Sequence, residues 1–217
     1  MTPQLPERAV GTIISWWKSK ARIYPWREAK PSAYKTFVAE SLLRRTTATA
    51  AARAFHSFMR EYPNARSLYY ASLASVQHAL SHIGMQRTRA KLLKRTAAYL
   101  AERGWRFPRN YEELRGLPGV GHYIAACICC HVYKQPLFIV DSNIQRLLNR
   151  FTGRSRTVAA WMQCIDVTAF GLFDPRRPRE SNYALLDLAR EVCVPRRPKC
   201  DVCPVSGLCD YFRQSLG

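Results

Sequence analysis

Residues 117–121 read Leu117-Pro118-Gly119-Val120-Gly121 and separate a short helical stretch, Tyr111–Leu114, from the apolar run His122–Val132. Glycine in such a turn allows positive φ angles that other residues avoid. The turn also leaves backbone N–H groups at the start of the next helix, where the helix dipole favours an anion. Two interpretations follow: an ordinary connection between two helices, or a turn that binds a phosphate through its main chain.

The net charge bears on this choice. The 217 residues include 34 Lys and Arg against 15 Asp and Glu, which gives a formal net charge of +19. Residues 85–109 alone contain eight Lys and Arg and one Glu. Such a surplus fits a polyanion, because phosphate contacts dominate the affinity of proteins for nucleic acid. Nucleic acid is therefore the first partner to test.

Composition excludes several other classes. Apolar residues make up 47% and charged residues 23%, values that exclude a disordered, collagen-like or coiled-coil chain. The longest apolar stretches, Ile124–Tyr133 and Leu137–Val140, are too short to span a membrane. Residues 1–17 have no basic start and no cleavage site, so we expect no secretory signal. We expect an intracellular protein with no membrane partner.

The pattern of apolar residues and helix breakers predicts an all-α fold with scarce strands. Residues 137–140 are expected to form a short extended piece, and Tyr111–Leu114 a short helical one. The longer predicted helical stretches are 5–20, 33–58, 68–80, 88–103, 122–132, 142–151, 158–170 and 181–191.

Eight cysteines are distributed unevenly along the chain. Four of them follow the spacing C-x6-C-x2-C-x5-C, as Cys193, Cys200, Cys203 and Cys209. Four thiolates in so short a loop can close around one centre, either tetrahedral zinc or an iron–sulfur cluster. The long first gap favours the larger cluster, because zinc sites more often use two short knuckles. The other four are expected to be buried small apolar side chains: Cys127, Cys129, Cys130 and Cys164.

The loop between the first two clustered cysteines is basic and rich in proline. It carries Arg196, Arg197 and Lys199. Such a loop is suited to contact with backbone phosphates, or its cations simply face solvent while the prolines stiffen it.

Asp141 follows the apolar residues Phe138–Val140 and precedes a helical stretch. An aspartate in this place is typical of a helix N-cap. A fixed carboxylate can also stabilise the oxocarbenium-like sugar that forms when a glycosidic bond breaks. The two roles do not exclude each other.

Three motifs together resemble the helix–hairpin–helix DNA glycosylases related to endonuclease III. They are Leu117–Gly121, Val140–Ile144 and the cysteine pattern, in the family's order over nearly the whole chain. The resemblance implies two helical lobes with a DNA-binding cleft between them, a structural [4Fe–4S] cluster, and Asp141 as the catalytic carboxylate. The implied lobes are 31–136, with the helix–hairpin–helix at about 112–131, and 1–30 plus 137–217, with the cluster loop at 193–209.

The place two residues after the last hairpin glycine indicates the branch of this family. In the bifunctional branch it holds a lysine, whereas here it is Tyr123. A phenol cannot form a Schiff base with a sugar aldehyde. The resemblance therefore implies a monofunctional glycosylase with weak or absent lyase activity, which leaves the DNA strand intact.

The run Glu40–Thr47 is similar to the archaeal glycosylases that remove thymine from T/G mispairs. Adenine glycosylases share Tyr24–Arg27 in part and a glutamate like Glu40, but they usually carry paired glutamines where Arg44 and Arg45 stand. They also have a further C-terminal domain, which we do not expect in this protein. The implied function is base excision repair of thymine or uracil opposite guanine, by flipping the base out of duplex DNA bound by a monomer. The alternatives are an adenine glycosylase on A/G or A/8-oxoguanine mispairs, and a noncatalytic duplex-binding module.

The resemblance also implies roles for single residues. Glu40 would donate or relay a proton or position water, and its simpler interpretation is an exposed helix residue paired with Arg44. Tyr123 would line the base pocket, or serve only as a packing aromatic. Arg44, Arg45 and Gln86 would fill the vacated stack or contact the orphan guanine. The remaining expected DNA contacts are Leu117, Gly119, Val120, Gly121, His122, Arg196, Arg197 and Lys199.

Overall fold

The computed structural model describes residues 5–20, 24–27, 30–163 and 170–215. Within these ranges all regular structure is helical and no strand occurs, which confirms the all-α class. No helix in the described residues is long and apolar enough to cross a membrane. In chain order the helices are α1 (Leu5–Lys20), α2 (Ala33–Leu43), α3 (Ala48–Glu61), α4 (Ala65–Tyr70), α5 (Leu73–Ala79), α6 (Gln86–Ala101), α7 (Tyr111–Arg115), α8 (His122–His131), α9 (Ser142–Thr152), α10 (Val158–Met162), α11 (Pro178–Glu191) and α12 (Asp210–Ser215).

The chain divides into two compact units. The first, Ile23–Tyr133, contains the glycine turn and is named the hairpin unit. The second joins Met1–Arg22 to Lys134–Gly217 and is named the cysteine unit. Each unit has its own core and is described separately.

Polar caps divide two of the predicted helical stretches. Thr47 accepts a hydrogen bond from the Ala50 N–H and begins α3, so the stretch 33–58 is two helices rather than one. Ser72 accepts from the Ser75 N–H and begins α5, which divides the stretch 68–80 in the same way. A side-chain oxygen satisfies backbone donors that a new helix leaves unpaired. Because apolar residues recur at helical spacing through both caps, the sequence pattern does not indicate these helix breaks.

The core of the hairpin unit is apolar and well buried. Its central helix, α8, is enclosed on most sides, with Ile124–His131 all buried. Cys127, Cys129 and Cys130 are completely buried there, which confirms the expectation for these three, while Cys164 lies outside the described residues. The other large buried side chains include Phe37, Leu42, Phe58, Leu68, Leu80, Leu93, Leu100 and Leu114.

Two cations of the basic stretch 85–109 act inside the hairpin unit. Arg89 is 4% exposed. Lys94 donates to the carbonyl oxygens of Leu68, at 3.1 Å, and of Tyr69 and Ala71 at the end of α4. A cation is favourable there, because the last carbonyls of a helix lack intrahelical partners and carry negative charge. The basic stretch is therefore partly structural.

In the cysteine unit, α1 packs along α11, and α9 packs on α11 as well. The Trp17 indole N–H donates to Asp187 Oδ2 at 2.9 Å. Residues 137–140 belong to no sheet; instead the Asn182 side chain accepts from the Ile139 N–H at 2.9 Å and donates to the Leu137 carbonyl at 2.9 Å. This amide holds the segment that leads into Asp141. The buried side chains of the unit include Ile13, Ile14, Ile144, Leu148, Trp161, Leu172 and Leu185.

Candidate active site and iron–sulfur centre

The glycine turn rests on α6. Gly119 has a φ of +78°, and a Cβ added to it would lie 1.9 Å from Leu92 Cδ1. The Pro118 carbonyl accepts a hydrogen bond from the buried Thr96 hydroxyl at 2.6 Å. Leu117 and Val120 are 2% and 3% exposed, so their side chains anchor the turn in the core. Any contact of these two residues with DNA would be made by the main chain.

The start of α8 follows directly. Gly121 is its N-cap and supplies no side-chain hydrogen bond, so the first N–H groups of the helix are the type of donor that binds phosphate. His122 is exposed, and its Nδ1 is hydrogen-bonded to the Tyr111 hydroxyl at 2.9 Å. This bond joins the first residues of α7 and α8. Tyr123, the next residue of α8, is half-buried.

Glu40 lies on α2 and is only 9% exposed. The interpretation of Glu40 as an exposed surface residue is therefore wrong. Its helix neighbours Val38 and Leu42 are fully buried, which is an unusual setting for a carboxyl group. In the sequence, Glu40 is the one acidic residue in an apolar run. This pattern indicates a buried carboxyl group rather than one that faces solvent.

Two turns of the hairpin unit carry the other candidate base contacts. The α2–α3 turn presents Arg44 and Arg45, both exposed, and Arg45 has a φ of 53°. Before α6, Met85 is 43% exposed with a φ of 63°, and Gln86 is half-buried beside it. The sequence reasoning missed Met85. An exposed apolar residue in left-handed backbone is uncommon, and its only sequence signal was the preceding Gly84.

In the cysteine unit, Asp141 is the N-cap of α9. Its Oδ1 accepts from the N–H groups of Asn143 at 2.9 Å and Ile144 at 2.8 Å. Its Oδ2 accepts from Asn143 Nδ2 at 3.0 Å. A carboxylate has about four acceptor positions, so these bonds fix the group and leave capacity on Oδ2. The structure shows the capping role.

Asp141 is linked through side chains to the cysteine loop. Asn143 Oδ1 accepts from Arg146 Nη1 at 3.2 Å. The same guanidinium donates to the Ala189 carbonyl at 2.7 Å and to the Cys193 carbonyl at 2.9 Å. A continuous chain of hydrogen bonds therefore runs from the candidate catalytic carboxylate to the first clustered cysteine.

All four clustered cysteines line one cavity, together with Arg150, Val192 and Tyr211. Burial and the neighbouring thiols raise the pKa of Cys203 to about 11, and the pKa values of Cys200 and Cys209 are also raised, mainly by burial. Thiols bind metal as thiolates.

Within the described residues, no three His, Cys, Asp or Glu side chains are arranged to hold a single metal ion. The four thiols nevertheless line a single cavity, and thiolates are the ligands that iron–sulfur clusters take. Arg150 supports the loop from α9, donating to the Val194 carbonyl at 2.7 Å and lying 3.5 Å from Cys193 Sγ. Arg196, Arg197 and Lys199 are exposed on the same loop.

Comparison with known proteins identifies the class. Residues 38–160 match the HhH-GPD superfamily of base excision DNA repair proteins, and residues 193–209 match the iron–sulfur binding domain of endonuclease III. The chain belongs to the HhH-GPD superfamily. The protein is a DNA N-glycosylase with an iron–sulfur binding domain.

Two curated relatives and one solved structure match nearly the whole chain. The chain is 34% identical to a thymine-DNA glycosylase of Aeropyrum pernix, over 92% of each protein. It is 31% identical to a thymine/uracil-DNA glycosylase of Methanothermobacter thermautotrophicus, over 94% of this chain and 93% of the other. A solved thermostable thymine-DNA glycosylase superposes with a TM-score of 0.86 at 29% identity, covering 96% of this chain and 97% of that one.

Proposed function

We propose that the protein is a monofunctional mismatch glycosylase that hydrolyses the N-glycosidic bond of thymine or uracil opposite guanine in duplex DNA. The observation that carries this proposal is the geometry of Asp141, whose carboxylate is fixed at the start of α9 by three hydrogen bonds of 2.8–3.0 Å. The choice of pyrimidine is supported by the names of the two relatives that match nearly the whole chain.

The reaction replaces the sugar–base bond with a sugar–hydroxyl bond. As the base departs with its electron pair, positive charge develops on the sugar, and Asp141 stabilises that charge. A proton is delivered to the leaving base directly or through water, and the buried Glu40 is the group we assign to this transfer. Water then adds to the sugar and loses its proton. Tyr123 provides no amine, so it cannot form the Schiff base that leads to strand cleavage, and we assign weak or absent lyase activity.

DNA binding is assigned to three groups of residues. The main chain of the turn and the start of α8, with His122, hold a backbone phosphate. The exposed residues of the α2–α3 and pre-α6 turns fill the vacated stack and contact the orphan guanine, with Met85 as an apolar wedge. The cations of the cysteine loop contact further phosphates. Cys193, Cys200, Cys203 and Cys209 would hold a [4Fe–4S] cluster, which would supply structural order to this loop.

The test is base release from a panel of duplexes that contain T/G, U/G, A/G and A/8-oxoguanine pairs, each followed by alkali. We expect strand breaks from T/G and U/G duplexes, and only after alkali. Breaks before alkali would contradict the monofunctional assignment. Release confined to the adenine-containing pairs would overturn the thymine assignment.

The Asp141→Asn variant tests the catalytic residue. Asparagine is also a good N-cap, so thermal stability and duplex affinity should persist, while the single-turnover rate of base release should fall about 10²-fold or more. Asp201→Asn, an exposed carboxyl on the cysteine loop, is the matched control and should keep the wild-type rate. Base release at the wild-type rate in Asp141→Asn would show that the residue only caps α9.

A second candidate is adenine removal. The chain is 31% identical to the human adenine DNA glycosylase over 92% of its length, although it spans only 38% of that protein. The same duplex panel separates the two candidates.

A further inference from the structure

Arg89 is a buried arginine whose partners are almost all main-chain carbonyls. Its Nε donates to the Gly84 carbonyl at 2.8 Å. Its Nη1 donates to the carbonyls of Ser41 and Leu42, the latter at 2.9 Å. Its Nη2 donates to the Arg44 carbonyl and, at 2.7 Å, to Thr46 Oγ1. A guanidinium has five N–H donors, and here all five are used.

These acceptors lie on two turns that are distant in sequence. Four of them belong to the end of α2 and the α2–α3 turn, and the fifth is the carbonyl of Gly84, just before α6. The chain is left-handed at one residue of each turn, at Arg45 and Met85. The rigid fork of one side chain therefore sets how the two turns lie against each other.

The residues that these turns present are the candidate base contacts Arg44, Arg45, Met85 and Gln86, here named the two-turn surface. We propose that Arg89 is a positioning residue that holds the two-turn surface in the geometry needed to discriminate the base opposite the target. This inference rests on the proposed function, because it takes the two-turn surface as the part that contacts the mispair. Arg89 itself is buried and acts only through the turns it joins.

Lys94, on the same helix, provides the contrast. It also places a cation against helix-terminal carbonyls, those of Leu68, Tyr69 and Ala71. The segment it holds carries none of the candidate base contacts. A change at Lys94 therefore tests the general effect of disturbing a cation on α6 that bonds to the last carbonyls of another helix.

The experiment compares Arg89→Lys with Lys94→Arg, two changes that keep the net charge. A lysine at 89 keeps the charge, but its single ammonium cannot reproduce the planar fork that reaches both turns. Single-turnover release of uracil is measured opposite guanine, opposite adenine and opposite an abasic-site analogue, with thermal unfolding of each variant. The last duplex offers no opposite base to discriminate.

We expect Arg89→Lys to reduce the guanine-over-adenine preference by about tenfold, because small misplacements of contact residues have large kinetic effects. Release opposite the abasic analogue should stay within about twofold of wild type, and Lys94→Arg should leave the preference unchanged. An equal loss on all three duplexes would overturn the proposal, since it would show that Arg89 does not act on discrimination of the opposite base. An unchanged preference in Arg89→Lys would overturn it as well.

A double-mutant cycle adds a second readout. In the Arg44→Ala/Arg45→Ala background, Arg89→Lys should reduce the preference further by much less than it does in wild type, because coupled residues are not additive. Full additivity would show that Arg89 does not act through these side chains. If wild type releases adenine instead of uracil, the proposed function fails, and the same variants are then compared on adenine opposite guanine and opposite thymine.

Discussion

The glycine turn and the cysteine loop both follow helices and both carry candidate ligand contacts, but different interactions shape them. The turn is shaped by its own backbone and by α6: Gly119 has a left-handed φ against Leu92, and Thr96 bonds the Pro118 carbonyl. The cysteine loop is held from outside by Arg146 and Arg150 of α9. It also surrounds a cavity lined by four thiols. The turn is complete without a ligand, whereas the loop is shaped to contain one.

The largest effect is expected at the cysteine loop. Cys203→Ala removes one of the four proposed ligands, so the iron–sulfur absorbance should be lost. The variant should also lose more stability than any other variant here, because metal binding to such a loop is folding free energy. Visible absorbance measures the loss of the cluster, and thermal unfolding measures the loss of stability. Cys127→Ala, which changes a fully buried cysteine in the hairpin unit, should keep the colour. A coloured Cys203→Ala protein would contradict the assigned ligand set.

The next effect is expected at Gly119. An alanine there costs about 1–2 kcal/mol for the left-handed backbone and about 1–3 kcal/mol for the collision with Leu92. Denaturant unfolding should therefore show a total loss of about 2–5 kcal/mol. Gly121→Ala is the matched control, because a Cβ there meets nothing within 4 Å. Equal losses in the two variants would show that the turn is not shaped by its contact with α6.

A smaller effect is expected where the cysteine loop is linked to Asp141. Arg146→Met breaks the hydrogen-bond chain between Asn143 and the Cys193 carbonyl, so the single-turnover rate should fall about tenfold, or about 1.4 kcal/mol. Duplex affinity should stay within about twofold of wild type, since few charge contacts change. Arg150 supports the loop without contacting Asn143. Arg150→Met should therefore reduce retention of the cluster more than it reduces the single-turnover rate. The reverse pattern would show that the chain does not position Asp141.

The smallest effect is expected from the Thr96 hydroxyl. Thr96→Val keeps the shape but removes the bond to the Pro118 carbonyl, at a cost of about 1 kcal/mol in unfolding free energy. Thr96→Ser keeps the hydroxyl and should retain more of that stability. If Thr96→Val leaves the unfolding free energy unchanged and Thr96→Ser lowers it, packing rather than hydrogen bonding supports the turn at this position.

Local sequence signals predicted a large part of the fold. Helix α1 begins and ends at the predicted residues 5 and 20, and α9 begins at Ser142 after its aspartate cap. The cysteine pattern and the glycine turn were recognisable because their constraints lie within a few consecutive residues. These motifs also sufficed for the family, which the matches at 38–160 and 193–209 confirm.

Features that depend on distant partners were not predictable in this way. The end of α2 bonds to Arg89, which lies more than 40 residues further along the chain. Arg89 and Lys94 were counted with the basic surface although they are used internally. The burial of Glu40 and the exposure of Met85 are likewise set by neighbours that helical periodicity does not identify.

The order of synthesis gives the pairing of α1 with α11 a further consequence. Trp17 and Asp187 are separated by 170 residues, and at about 5–20 residues per second this interval is roughly 10–30 s of translation. All of Ile23–Tyr133 is made within that interval, whereas Ile13 and Ile14 lack most of their eventual core. Until α11 is made, the apolar face of α1 therefore lacks the helix against which it packs. The α1–α11 pair therefore forms only after α11 has been synthesised.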